Sequence, residues 1–258
     1  MDNINNKQIR FGPAGNSEQF YNEGHKSSVE APRWIHEQGL NAFEYSFGRG
    51  IKIPEDMAVQ LGKNAKEYGV AMSVQAPYYI NLATFDEQKI ESGQRYLLQT
   101  FKMAKLMGAS RVTLHPGSCA KTDRKKAFEQ NLKSFANVFK LLCEMGYGDI
   151  TLCPETMGKL NQLGDVDEII LMANVDERII PTIDFGHINA RTMGGLATQE
   201  DYKILFDTLE NGIGKERLDS LHCHFSRIEF TEKGEKCHLT YDDTRFGPDF
   251  EPLAKELI

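Results

Sequence analysis

The chain has 258 residues, 40% of them hydrophobic and 26% charged, a globular balance with enough apolar material for a sizeable core. Its net charge of −7 argues against holding nucleic acid by overall charge, although a local basic or metal-lined groove is set by the site and not by the sum. No apolar run approaches the roughly 20 residues that span a bilayer, and the start MDNINNKQIRFGPAGN has no apolar core of signal-peptide length. The 5 cysteines (Cys119, Cys143, Cys153, Cys223 and Cys237) are odd in number and form no CxxC pair, which speaks against disulfides. A soluble, cytoplasmic, monomeric protein is expected.

One pattern repeats along the chain: a short apolar run ends in polar residues, and a helical stretch follows. The runs are Ile9–Phe11, Ala42–Tyr45, Val70–Val74 leading into Gln75, Arg111–Leu114 ending at His115, Ile150–Cys153 ending at Pro154 and Glu155, Ile179–Ile183 ending at Asp184, and Leu218–Cys223 ending at His224. Their length and apolar character suit the strands of a parallel sheet covered on both faces. Helices are expected at Pro32–His36, Glu55–Tyr68, Asp86–Met107, Arg124–Met145, Asp167–Ala173 and Gln199–Leu209, the first four followed by Gly39, Gly69, Gly108 and Gly146. Strand–helix alternation reads as βα units. No linker-like segment interrupts it, so residues 1–258 are expected to form a single domain.

The length is close to the ~250 residues of one (β/α)8 barrel. A doubly wound open sheet is the alternative, against which counts the lack of a glycine-rich phosphate turn after the first run. Seven strand runs are followed by the polar stretch Ser226–Gly247, with a turn at Glu232–Gly234, and by a helix beginning at Phe250 and running to Ile258. A closed barrel needs one strand more. The expected fold is therefore an α/β TIM-type barrel, lacking or open at its eighth strand, unless the natural product is longer.

The chemistry-bearing residues fall at the ends of consecutive runs: His115 in LHPGS, Glu155 in CPET, Asp184 and His187 in IDFGH, His224 in LHCHFS, and His238 in the following loop. In a barrel, the carboxyl ends of successive strands ring one mouth, so residues far apart in sequence converge there. Imidazole and carboxylate are ligands for zinc, and also for manganese and iron. A carboxylate such as Glu155 can bridge two ions. Taken singly, each of these residues has a structural reading: a strand-end histidine is often a hydrogen-bonded core group, and Asp184 before FGH can be a helix N-cap. Pro116–Gly117 is a turn signal, with Ser118 a possible cap of the next helix. His25 and His36 read as surface residues. His222 either shares the barrel-facing side with His224 or supports it. Cys153 and Cys223 read as core, and Cys119 as a small buried thiol.

VQAPYYINL, LHPGS, PET, IDFGH, LHCHFS and GEKCHLTYDD together resemble the ordered motifs of the endonuclease IV family (AP endonuclease family 2), within the xylose isomerase-like TIM barrels, from about Phe11 to the end of the chain. The resemblance implies a zinc-dependent phosphodiester hydrolase that incises duplex DNA at abasic sites in base excision repair. It implies that His115 and Glu155 hold one ion, Glu155, Asp184 and His224 a second, and His187 and His238 a third, with Glu155 catalytic. It further implies that Tyr78 and Tyr79 press into the DNA stack and that Arg49 enters the helix gap. Two positions depart from the family's ligands: Gln75 stands where a histidine is expected, and Lys236 where an acid is expected. An eighth-strand glutamate has no counterpart. An amide oxygen is a weaker zinc ligand than imidazole, and an ammonium repels a cation. Hence His187 and His238 alone are expected to hold no tight third ion, and activity is expected to be reduced or altered. Manganese is an alternative to zinc. A sugar isomerase or epimerase built on a similar ring of Glu, Asp and His, and a degenerate non-catalytic barrel, are the competing functions.

Overall fold

A computed structural model describes residues 9–119 and 121–257. Its elements are α1 (Glu18–Asn22), α2 (Ala31–Glu37), β1 (Ala42–Ser46), α3 (Glu55–Glu67), β2 (Ala71–Gln75), α4 (Glu87–Leu106), β3 (Arg111–Leu114), α5 (Arg124–Glu144) and β4 (Thr151–Pro154), then α6 (Val166–Ala173), β5 (Thr182–Asp184), α7 (Phe185–Arg191), α8 (Gln199–Ile213), α9 (Lys215–Leu218), β6 (His222–His224), β7 (Arg227–Thr231), β8 (Gly234–Leu239) and α10 (Phe250–Glu256). Ile258, the last residue of the helix expected from Phe250, lies outside the described residues.

Strands β1 to β4 form a parallel sheet in chain order, and β5 pairs in parallel with β6. A parallel bridge from Glu155 to Thr182 joins the two sheets into one arc, and Thr113 and Thr182 meet across its interior with their hydroxyls 3.1 Å apart. The helices are set by local signals: Asp86 caps α4 by accepting from Gln88 N and Lys89 N, and Asp165 with Glu168 closes a capping box on α6. Gly108, at φ +65°, takes the left-handed conformation that ends α4 and turns the chain into β3. The apolar faces of α2 to α6 pack on β1 to β4 around Phe43, Leu61, Leu97, Phe101, Val112 and Phe135, while Ile183, Phe185, Tyr202 and Leu209 form a second core under β5. This is the α/β TIM-barrel architecture.

The expected first strand, Ile9–Phe11, is not a regular strand. The backbone N–H groups of Asn41 and Ala42 donate to Phe11 O, that of Glu44 to Pro13 O, and only Ala14 makes a parallel bridge, with Glu44. Pro13 has no N–H to return, so the ladder breaks where it would have begun. Among the described residues no eighth parallel strand lies beyond β6. Phe250 of α10 packs there instead, its ring 5.1 Å from that of Phe225 and 6.4 Å from that of Phe11, so α10 links the two ends of the arc. The polar stretch after β6 contains an antiparallel hairpin, β7–β8, turning at Glu232 and Lys233. No helix among the described residues is long and apolar enough to cross a membrane.

Two smaller expectations change. Ser118 does not cap a helix; α5 begins six residues later, where Asp123 accepts from Lys126 N. Cys223 is exposed, not core, because β6 lies at the open end of the arc, whereas Cys153 and Cys119 are buried. Gly117 is held at φ +134°, and a Cβ there would sit 2.2 Å from Asn81 Oδ1, the atom that accepts from Ser118 N and Ala83 N and ties the loops after β2 and β3 together. Gly117→Ala combines backbone strain with a clash and should destabilise the fold by roughly 2–4 kcal/mol. A urea midpoint equal to that of the wild type would contradict this packing.

Candidate metal centre

Strand ends, the first turn of α7 and the hairpin bring the six candidate ligands singled out in the sequence, together with Gln75 and Tyr78 and with Glu44 and Glu235, which it did not single out, around a cavity of about 390 Å³. Glu155, only 1% exposed, stands at its centre. Its Oε2 lies 3.1 Å from His115 Nε2 and accepts from Gln75 Nε2 at 2.9 Å, while its Oε1 lies 3.0 Å from His224 Nδ1 and 3.6 Å from His187 Nδ1. Burial alone would raise the Glu155 carboxyl; the charges of His224 and His115 outweigh it and hold the group well below the usual carboxylate range.

Asp184 divides its oxygens between fold and site. Oδ1 caps α7 by accepting from His187 N at 2.8 Å; Oδ2 lies 3.4 Å from His187 Nδ1 and 3.8 Å from His224 Nδ1. The N-cap and site readings of Asp184 are therefore compatible, one for each oxygen. His187 is buried on the first turn of α7, its Nδ1 2.9 Å from Thr156 O. Burial would lower its pKa, but the charges of Asp184, Glu155 and Glu235 raise it.

The hairpin supplies the residue that sequence reasoning missed at the third position. Glu235 Oε2 lies 3.6 Å from His187 Nε2, and Glu235 Oε1 lies 3.9 Å from His238 Nε2. In a regular strand, residues three apart face opposite sides. Here the register jumps, with Phe230 opposite Glu235 and Glu229 opposite Cys237, so that Lys236 is a β-bulge. The bulge turns Glu235 and His238 to the same side and expels Lys236, whose Nζ pairs with Glu229 at 2.6 Å. The expectation that His187 and His238 stand without an acid, with Lys236 repelling a cation beside them, does not describe this geometry: donor atoms of His187, Glu235 and His238 lie within 4.8 Å of one another.

Glu44 is the second residue missed. It lies mid-strand in β1, 6% exposed, with its carboxylate 2.8 Å from both His222 Nε2 and His224 Nε2. His222 thus faces the barrel interior together with His224. Burial would raise Glu44, but the charge of His224 and the hydrogen bond from His222 hold it below the usual range. Burial would lower His224, but Glu44 and Glu155 raise it well above the ordinary value. A charged residue inside an otherwise apolar run, flanked by Phe43 and Tyr45, was the signal available in the sequence.

The donor set fits a divalent ion. Oxygen and imidazole nitrogen dominate it, each of three groups (Glu155–Asp184–His224, His187–Glu235–His238 and Glu44–His222–His224) has its donor atoms within 4.8 Å, and the buried Gln75 Oε1 has no hydrogen-bond partner. At the rim, Tyr78 lines the cavity and Tyr79 packs edge-on against Tyr96 at 5.1 Å; they are 54% and 46% exposed. Arg49 is exposed in the loop after β1, and Gly48 O of that loop accepts from Tyr78 N. Lys159 also lines the cavity. His25 pairs with Glu30 and His36 is exposed, both away from the site.

An arc of parallel strands with nitrogen and carboxylate donors gathered at the strands' carboxyl ends defines a TIM-barrel protein with a candidate multi-ion centre. The chain belongs to the xylose isomerase-like TIM barrel family, whose model matches residues 32–257. It is 33% identical to an uncharacterized protein of Methanocaldococcus jannaschii over 81% of this chain and 74% of that one. It is 27% identical to a probable endonuclease 4 of Staphylococcus carnosus over 69% of this chain and 60% of that one, so it spans less than two thirds of that relative. Among solved structures, endonuclease IV from Thermus thermophilus aligns at TM-score 0.58 and 22% identity over 75% of this chain and 70% of that one, and a D-tagatose 3-epimerase-like protein at 0.66 and 18% over 87% and 80%. At these identities the structural likeness speaks for the fold.

Proposed function

We propose that the chain is a metal-dependent phosphodiester hydrolase of the endonuclease IV kind, acting on abasic sites in duplex DNA. The observation that carries the reading is the placement of Glu155, with one carboxylate oxygen toward His115 and the other toward His224, as a bridge between two ion positions needs. Relatives that are probable endonucleases 4 support it. When bound, divalent ions of the zinc or manganese class would lower the pKa of a water and offset charge on the transferring phosphoryl group. Glu155 would fix the spacing of the ions, His115, Asp184 and His224 would hold those beside it, and His187, Glu235 and His238 would hold one nearer the hairpin. Tyr78 and Tyr79, exposed at the rim, would stack on unpaired or splayed bases, and Lys159 and Arg49 would meet backbone phosphates. The single-domain, cytoplasmic and monomeric readings belong to the same proposal.

The test is incision of a duplex carrying one abasic site by the zinc-loaded or manganese-loaded chain. Cleavage 5′ to the lesion, lost on chelation, is expected. No cleavage at stoichiometric enzyme, under conditions in which a Staphylococcus carnosus endonuclease 4 control cuts, rejects the activity. The cavity of about 390 Å³ and the net charge of −7 also favour a second reading, a sugar epimerase or isomerase. Turnover of a free ketose with no cleavage of DNA would establish that reading in place of the first.

Gln75 gives a prediction of its own. Its Nε2 donates to Glu155 and its Oε1 is buried without a partner, so the side chain already points among the donors. Gln75→His should therefore raise zinc affinity by about 10-fold or more, since imidazole replaces a neutral amide oxygen. Competition with a chromophoric chelator measures it, and equal affinity would mean that position 75 does not face the ion.

A further inference from the structure

Below the mouth, the barrel interior holds a group of donors in which Glu44, from outside the matched motifs, meets His222 and His224 of LHCHFS. Glu44 Oε2 is fully engaged, at 2.8 Å from His222 Nε2, 3.0 Å from Ser73 Oγ and 3.4 Å from Thr113 Oγ1. Glu44 Oε1 is not. It lies 2.8 Å from His224 Nε2, yet the pair lacks hydrogen-bond alignment, and the buried Nε2 has no other hydrogen-bond partner. The other ring nitrogen of His224 does make an aligned hydrogen bond, Nδ1 to Glu155 Oε1 at 3.0 Å.

In the metal-free protein the carboxylates on either side raise His224, so its ring carries a proton toward Glu44; a divalent cation held between Nε2 and Glu44 Oε1 would take that proton's place and satisfy both buried atoms. Ligands at right angles on bonds of about 2.0–2.1 Å are about 2.8–3.0 Å apart, so the 2.8 Å between Nε2 and Oε1 lets both reach one ion, as it would also suit an N–H···O contact. A metal-bound histidine that gives its other N–H to a carboxylate is the usual support for such a ligand, and Glu155 provides it. His222 brings a third donor, one atom from each of the three residues lying within 4.8 Å of the others.

We propose that Glu44, His222 and His224 hold a divalent cation inside the barrel, separate from the ions at the mouth. This assignment takes His224 from the ion beside Glu155, to which the proposed function gave it, and leaves that ion to Glu155, His115 and Asp184. The proposal shares with the proposed function the premise of a metal centre, but not the hydrolase activity.

The experiment strips the full-length chain with chelator, reloads it with zinc, desalts it and counts zinc per chain by mass spectrometry. Glu44→Gln should lower the count by about one ion per chain, and His222→Gln should share that loss. Glu235→Gln, in the hairpin cluster, should remove a different ion, so that the double variant with Glu44→Gln loses both. Circular dichroism establishes that each variant is folded. A folded Glu44→Gln chain with an unchanged count overturns the proposal, even if incision of abasic DNA is lost, because Glu44 would then only position His224. Should Glu44→Gln fail to fold, an unchanged count in His222→Gln overturns it equally. Loss of the ion in both variants, in a protein that cleaves no DNA, sustains the proposal and defeats the hydrolase reading alone.

Discussion

Glu155→Gln is expected to reduce metal-dependent turnover by on the order of 10³-fold or more, about 4 kcal/mol in barrier. Its two oxygens meet Gln75, His115 and His224, and His187 lies 3.6 Å away. An amide keeps the volume and one acceptor oxygen but removes the charge and the ability to bridge two ions. Its N–H₂ would also face an imidazole nitrogen that now has a carboxylate partner. Steady-state rates at saturating metal measure the effect. A loss of less than about 10-fold would place Glu155 outside the chemistry and leave it a structural carboxylate.

Removing the ions is the second large effect. A ligand present at about 1,000 times its dissociation constant stabilises the native state by about 4.1 kcal/mol, and each kcal/mol moves the Tm of a chain this size by roughly 2–4 °C. Chelation should thus lower Tm by roughly 8–16 °C. The effect should depend on pH, with a definite sign. In the metal-free protein, Glu44 and Glu155 have lowered carboxyl pKa values, so their contribution is present above about pH 4.3 and is lost as pH falls through the folded values. His187 and His224 are raised, so theirs is full below about pH 6.5 and is lost as pH rises through the folded values. The metal-free chain is therefore most stable between those limits. Metal binding runs the other way, because the ion displaces ring protons and binds more tightly as pH rises. The difference in Tm between loaded and stripped protein should widen from about pH 6 to about pH 8. A difference that is constant or shrinks would mean that the histidines do not take part.

The two effects rest on residues that differ in how far the sequence announced them. His115, Glu155, Asp184 and His224 end their runs, and strand-end placement alone predicts convergence in a barrel; the structure brings these four together. Glu44 was hidden because it stands within a run, where a strand reading takes alternate residues as core. Its partners Ser73 and Thr113 on the next two strands become visible only once the register is known, Glu44 lying opposite Ser73. Glu235 was hidden by a different cause. An acid three residues before a histidine reads as facing away from it in a strand, and only the bulge at Lys236 reverses that. The fold was legible for the same reason as the strand ends: apolar runs of strand length alternate with helices that close in glycine. The first run failed because Pro13 interrupts a ladder whose acceptor half does form.

The central claim is that these side chains gather in order to hold divalent ions. Anomalous diffraction at the zinc edge from crystals of the zinc-loaded chain tests it directly. The account predicts strong peaks within bonding distance of Glu155 and its neighbours His115 and Asp184, with a further peak between Glu44 and His224. A well-ordered map with no anomalous peak among these residues would contradict it.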